Sequence, residues 1–216
     1  MIKLTKQPKP KVLIDNADNW TKELMSYVNR GVKAPDAVKN RYNHPEVKNT
    51  LEKETHGKCM YCEGYIGAVS YSHIEHFWPK APYPAKTFEW ENLGLSCQVC
   101  NTNKNDVFDK ALPYINPYNE NPDDYFIFLG TMVMQKTGCA RAENMKNQLK
   151  LNRSELMEQR REAIEKITNL VERYKGEKDP AIKTMLRKNI EIELGPDKQY
   201  SRCVKSAVEQ LTGEKW

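Results

Sequence analysis

At 216 residues, with 39% hydrophobic and 29% charged side chains, the chain holds enough apolar material for one or two cored domains and lacks the bias of a disordered one. No apolar run reaches bilayer length, and the N-terminal MIKLTKQPKPKVLI lacks the apolar stretch and small-residue cleavage site of a signal peptide, so a cytoplasmic protein with no membrane partner is expected. Much of the net charge of +5 arrives as Lys3, Lys6, Lys9 and Lys11, which leaves the remainder near neutral and excludes a broad basic face as the sole basis for binding nucleic acid.

The lysine-rich terminus reads equally well as a solvated tail or as an arm that docks a partner or touches phosphate. Residues 16–31 follow as a helix: Asn16 or Asp18 can cap it, Trp20, Leu24, Tyr27 and Val28 form one apolar stripe, and Gly31 can end it. Pro45 opens a second helix, with Val47 and Leu51 one turn apart and Gly57 as the stop. From there to about Lys110 the pattern changes to short alternating runs, such as Ala68 to Phe77, among loops rich in Pro, Trp and Asn. Tyr125 to Met134 predicts a hairpin turning near Gly130. In the last third, Asn152 and Glu155 resemble a capping box before Leu156, Ala163, Ile167, Leu170 and Tyr174 at helical spacing. Asp179-Pro180 opens another helix, with Ile182, Met185, Leu186 and Asn189 on one side and Gly195-Pro196 at its end. A short final helix carries Val204, Ala207, Val208 and Leu211. These stripes predict core packing.

Six cysteines divide into two Cys-x-x-Cys pairs, Cys59/Cys62 and Cys97/Cys100, and two isolated residues, Cys139 and Cys203. Each pair presents two thiolates on one side of a tight turn, and two pairs complete a closed tetrahedral site, so a structural Zn²⁺ is expected. The isolated cysteines read as small buried apolar residues.

Between the pairs runs SHIEHFWPKAPYPAKTFEWENLGLSCQVCNTNKND. Three of its parts, Glu75-His76-Phe77-Trp78-Pro79, Asn92-Leu93 and Cys100-Asn101-Thr102-Asn103-Lys104, follow in order within the zinc knuckles. In this it resembles the HNH endonuclease superfamily, whose ββα-metal finger hydrolyses phosphodiester bonds. The resemblance implies His76 as general base and Glu75 and Asn101 as oxygen ligands of a catalytic Mg²⁺ or other divalent ion. It also implies Asn92 as a bond across the loop that holds His76, and Lys104, a turn beyond Asn101, as a second group facing the same phosphate. A neutral imidazole suits the base, and a hard cation suits oxygen donors. Glu75 stands where the commonest motif has Asp, which lengthens the arm. His73 alternates with Glu75 along the expected strand and reads as an additional metal ligand, a supporting partner or a structural histidine. His44 and His56 read as structural, and Trp78 and Trp90 as packing before base stacking.

Over most of residues 1–165 the chain is further similar to the PtuB-type HNH nuclease subunits of Septu and retron-associated anti-phage systems. MIKLTKQPKP, GKCMYCEG, IEHFWPK, INPYNENPDDYFIF and LKLNRSELMEQRREAI carry that similarity. It implies an ABC/SMC-like PtuA-type ATPase partner, with a retron reverse transcriptase/ncRNA complex as a further one, and cleavage of DNA first and RNA second. The expected fold is α+β and predominantly α-helical: an N-terminal arm and helices for partner docking (1–56), the zinc ββα-metal nuclease module (57–110), then a hairpin and C-terminal helical region (111–216). The alternatives are a free-standing restriction-type HNH enzyme and a zinc ribbon without catalysis.

Overall fold

The structure, a computed structural model, describes residues 1–67 and 72–216. Helix α1 (Lys11–Asn29) begins five residues earlier than periodicity suggests. Pro10 supplies the reason: its fixed φ of −56° and extended ψ of 144° place its carbonyl to accept from Leu13 and Ile14 N–H, both at 3.0 Å. Leu13 and Ala17 then extend the buried stripe that Leu24 continues. A short α2 (Asp36–Lys39), which no apolar period announces, starts after Pro35. Helix α3 (Pro45–Thr55) opens as expected, with the His44 imidazole accepting from Glu46 N–H at 3.2 Å. It ends on two left-handed residues, His56 (φ 53°) and Gly57 (φ 68°), which turn the chain into Cys59.

Strand β1 (Ser72–His76) pairs antiparallel with β2 (Leu93–Cys97) in the register His73↔Ser96, Glu75↔Gly94 and His76↔Leu93. The expected alternating run began at Ala68; its first part, 68–71, lies outside the described residues. Helix α4 (Gln98–Lys104) follows β2 with no intervening loop. Gly94 is required by close approach, since a Cβ there would meet Met60 Sδ at 2.3 Å. The same contact lets Met60 N–H donate to Leu95 O at 2.9 Å, tying the first cysteine turn to β2.

Strands β3 (Phe126–Leu129) and β4 (Met132–Gln135) form the expected hairpin, with Phe126 and Phe128 turned inward. Helix α5 (Ala140–Gln148), a polar segment with weak periodicity, packs on β4. Helices α6 (Ser154–Gly176), α7 (Pro180–Glu193) and α8 (Ser201–Thr212) complete the order. Two details of this region differ from expectation. Asn152 makes no cap for α6; its side chain grips Val133 N–H and C=O, both at 2.8 Å, and so joins the helix start to β4. On α7 the inward residues are Leu186 and Ile190, while Ile182 and Met185 stay exposed. Asp179 caps α7 through Ala181 and Ile182 N–H, as expected.

Nor is the N-terminus a solvated tail. Met1 and Leu4 are buried, and Lys6 donates to Leu93 O at 2.6 Å and to Glu54 at 3.2 Å beneath the rings of Trp90 and Tyr118. Burial pulls the Lys6 ammonium down to about 8 against the attraction of Glu54. The Met1 amine reaches buried Glu63 at 2.9 Å. Although burial alone would push the Glu63 carboxyl up, that amine, Lys58 and Ser201 hold it below the usual carboxylate range.

Three apolar cores result. One joins Met1 and Leu4 to the cysteine turns, Ile115, Phe128, Met145 and Cys203; a second joins α1, α3, Phe88 and Trp90 to β2; a third lies among α6, α7 and α8. The first two cross residue 57 and the first crosses residue 110, so the cysteine segment shares its cores with the chain on both sides. The fold is mostly helical with two small sheets, and no helix of the described residues is long and apolar enough to cross a membrane.

Candidate functional site

The cysteines come together first. The α3 terminus delivers Cys59 and Cys62 on a turn closed by Cys59 N–H to Gly64 O (2.9 Å), and the β2–α4 junction delivers Cys97 and Cys100. All four Sγ atoms lie within 4.8 Å of one another, and Cys62 Sγ sits 3.9 Å from Cys97 Sγ. That is far beyond a disulfide bond and close to the ~3.8 Å edge of a tetrahedron with Zn–S of about 2.3 Å. Cys97 Sγ also accepts from Cys100 N–H at 3.5 Å, and Arg153 approaches Cys100 Sγ at 3.9 Å. Hydrogen bonds from the neighbouring thiols of Cys100, Cys59 and Cys62 push the Cys97 thiol well down. The donor set fits a soft, four-coordinate metal ion, so the four cysteines form a cluster that could hold one.

Beyond the cluster, β1, β2 and α4 enclose a second site. Glu75, His76, His73, Asn101 and Lys104 line one cavity of about 430 Å³. Asn92 stands behind it, buried, and bridges the long loop: its Oδ1 accepts from Trp78 N–H at 2.7 Å, and its Nδ2 donates to Trp78 O at 3.1 Å and Lys86 O at 2.9 Å. The loop so fixed brings Thr87 O to 2.9 Å from His76 Nε2. A carbonyl can only accept, so Nε2 carries the proton and the Nδ1 lone pair of the neutral ring is left uncommitted. Burial lowers the His76 pKa to about 3, against the Thr87 bond, so the ring is neutral at physiological pH.

Glu75 is buried, and burial pushes its carboxyl up; Lys104 opposes this through an ion pair at 2.6 Å. Lys104 is only 1% exposed, and its ammonium also donates to His76 O at 2.8 Å. Lys104 thus shares the cavity wall with Asn101 while its ammonium is committed to Glu75 and the His76 backbone. Asn101 is half-buried at the cavity wall. Among the described residues, His73 Nε2 is buried without a hydrogen-bond partner, as is Ser96 Oγ on the facing strand.

Three contributors escaped the sequence reading. Tyr42 lines the cavity and packs edge-on against His76, centroids 4.5 Å apart at 88°. Lys80 lines it too and donates to Tyr42 OH at 2.6 Å. Thr87 contributes a backbone carbonyl, which no side-chain pattern reveals. Lys80 had a signal, its place in IEHFWPK; Tyr42, in the loop before α3, had none. Trp90 is buried with its indole N–H on Gln7 O, and Trp78 packs with Tyr83 and Phe108, both in keeping with packing roles.

Residues 59–107 match the family model described as HNH endonuclease. The chain is similar to the Septu protein PtuB of Bacillus mycoides strain KBAB4, 30% identical over 197 residues, which takes in 74% of this chain and 66% of that protein. It is also similar to the Septu protein PtuB of Bacillus thuringiensis, 32% identical over 126 residues, or 58% and 45% of the two chains. The chain thus spans less than two thirds of the length of these relatives.

Proposed function

Residues 59–107 being an HNH endonuclease domain, we propose that the chain is the metal-dependent nuclease subunit of an anti-phage defence system, cutting DNA first and RNA second. A PtuA-type ATPase is the proposed partner, because both relatives are named for the Septu system. The observation that carries the reading is the convergence of Glu75, His76 and Asn101 on one cavity, with the imidazole tautomer fixed by Thr87.

In this reading β1, β2 and α4 form the ββα-metal finger, zinc is the ion of the four cysteines, and residues 57–110 are the nuclease module. Glu75 and Asn101 would hold a hard divalent ion such as Mg²⁺, which when bound supplies charge for the phosphate oxygens and the leaving oxygen. His76 Nδ1 takes a proton from water, the water oxygen forms a bond to phosphorus, and the bond to the departing sugar oxygen breaks. That oxygen then takes a proton from solvent, and His76 returns its own. Lys104 pairs with Glu75 and offsets part of the burial that pushes its carboxyl up, and Asn92 keeps Thr87 under the ring. The modest net charge accords with a nuclease that gains substrate affinity from its partner, since phosphate contacts dominate free binding.

Cleavage of DNA and of RNA by the zinc-loaded chain in Mg²⁺, with and without a PtuA-type ATPase, tests the proposal. Metal-dependent cutting that the ATPase raises is the expected result. Cutting at full rate without the ATPase favours a free-standing enzyme, and no cutting in any combination overturns the nuclease reading.

A further inference from the structure

A second hollow, about 410 Å³, adjoins the cavity, and Lys80 and Asp106 line both. Its other walls come from the end of α1 and the segment that follows it, Leu24, Val28, Val32 and Lys33, and from Pro84 across the way. Thr87, whose carbonyl holds His76, lines it as well. The wall is aliphatic: Val28 and Val32 remain 42% and 54% exposed beside a polar cavity. Lysines form its rim. Lys39 is paired with Asp36, but among the described residues neither Lys33 nor Lys80 has a carboxylate within ion-pair reach; Lys80 rests on the Tyr42 hydroxyl and ring.

Resting on the nuclease reading, we propose that this groove is a subsite for an unstacked base of a single-stranded nucleic acid, next to the scissile phosphate, with Lys80 and Lys33 taking the flanking phosphates. Charge and continuity choose the occupant. A strand leaving the cavity must cross the sill between Lys80 and Asp106, and the carboxylate of Asp106 turns its phosphate toward Lys80. Beyond the sill, a duplex would press its charged backbone against aliphatic side chains that give it no counter-charge. An unpaired base presents an apolar face that the valines and Leu24 can cover, as apolar side chains do for extruded bases. The substrate class is therefore a single strand, or a duplex locally opened.

The test is the full-length, zinc-loaded Val28→Asp/Val32→Asp double variant, whose two sites are exposed enough to leave folding intact, as a thermal melt checks. Binding of a fluorescein-labelled oligothymidylate and of a duplex is measured by anisotropy without Mg²⁺. Hydrolysis of bis(p-nitrophenyl) phosphate, too small to reach the groove, is measured with Mg²⁺. The wild-type chain should bind the single strand about tenfold tighter than the duplex, and the variant should lose about tenfold in single-strand affinity alone, the scale of one base stack. The small diester should be hydrolysed equally by both. Equal wild-type affinity for strand and duplex, unchanged strand binding by the variant, or loss only of the complex with the ATPase, would each overturn the subsite. Absence of diester hydrolysis by wild-type protein strikes the nuclease reading instead and leaves the binding result to stand by itself.

Discussion

His76 is held by two surroundings at once, a burial that disfavours its charge and a carbonyl that fixes its tautomer. The unfolded chain gives such a ring its ordinary pKa near 6.5, whereas the folded one gives about 3. As pH falls through that window the unfolded chain takes the proton first, so His76 contributes stability that is complete above pH 6.5 and lost progressively toward 3. The slope is at most about 1.4 kcal/mol per pH unit, and denaturant unfolding of a His76→Gln chain should show it flattened. Asn92 is the second residue on which the site turns. Asn92→Ala leaves the half-buried Trp78 N–H without its acceptor, and we predict a loss of about 1–3 kcal/mol in urea unfolding with slower cleavage. The sequence motif singles out both side chains, and the structure places His76 on the cavity and Asn92 behind it. What the motif cannot name is a backbone acceptor: Thr87 O follows only from the folded loop, and the pairing of Lys104 with Glu75 only from the packing of α4 on β1.

At the scale of elements, the β1–β2 pair and α4 have little apolar mass of their own, and the cysteine cluster joins α3's end to both. Metal binding to such a segment is folding free energy. Cys97→Ser should therefore lower bound zinc below one ion per chain and lower the melting temperature, as elemental analysis beside a thermal scan would check; full zinc and an unchanged melt would contradict the clamp. Helices with strong punctuation were readable, as Pro45 and Asp179-Pro180 show. Those without it were not. Short α2 and polar α5 carry too few apolar residues to show a period, and Asn152 was assigned to a cap because its bond to β4 is a tertiary contact.

For the whole molecule, the N-terminal segment changes meaning most. Its lysines suggested a tail, but Met1, Leu4 and Lys6 close the seam between β2, α3 and the turn at Glu63. The apolar pair was hidden among charges in a stretch too short for periodicity. Leu4→Ala should cost about 2–4 kcal/mol in chemical unfolding, a core-sized loss that a solvated tail would not produce. The molecule so assembled gathers the four cysteines at one junction and sets Glu75, His76 and Asn101, the proposed base and oxygen donors, on one cavity. The most direct measurement compares single-turnover cleavage by wild-type and His76→Ala chains of equal zinc content and equal melting temperature, in Mg²⁺ and with the ATPase present. The account predicts that the substitution abolishes cutting while zinc and fold persist; cutting by the His76→Ala chain at the wild-type rate would contradict it.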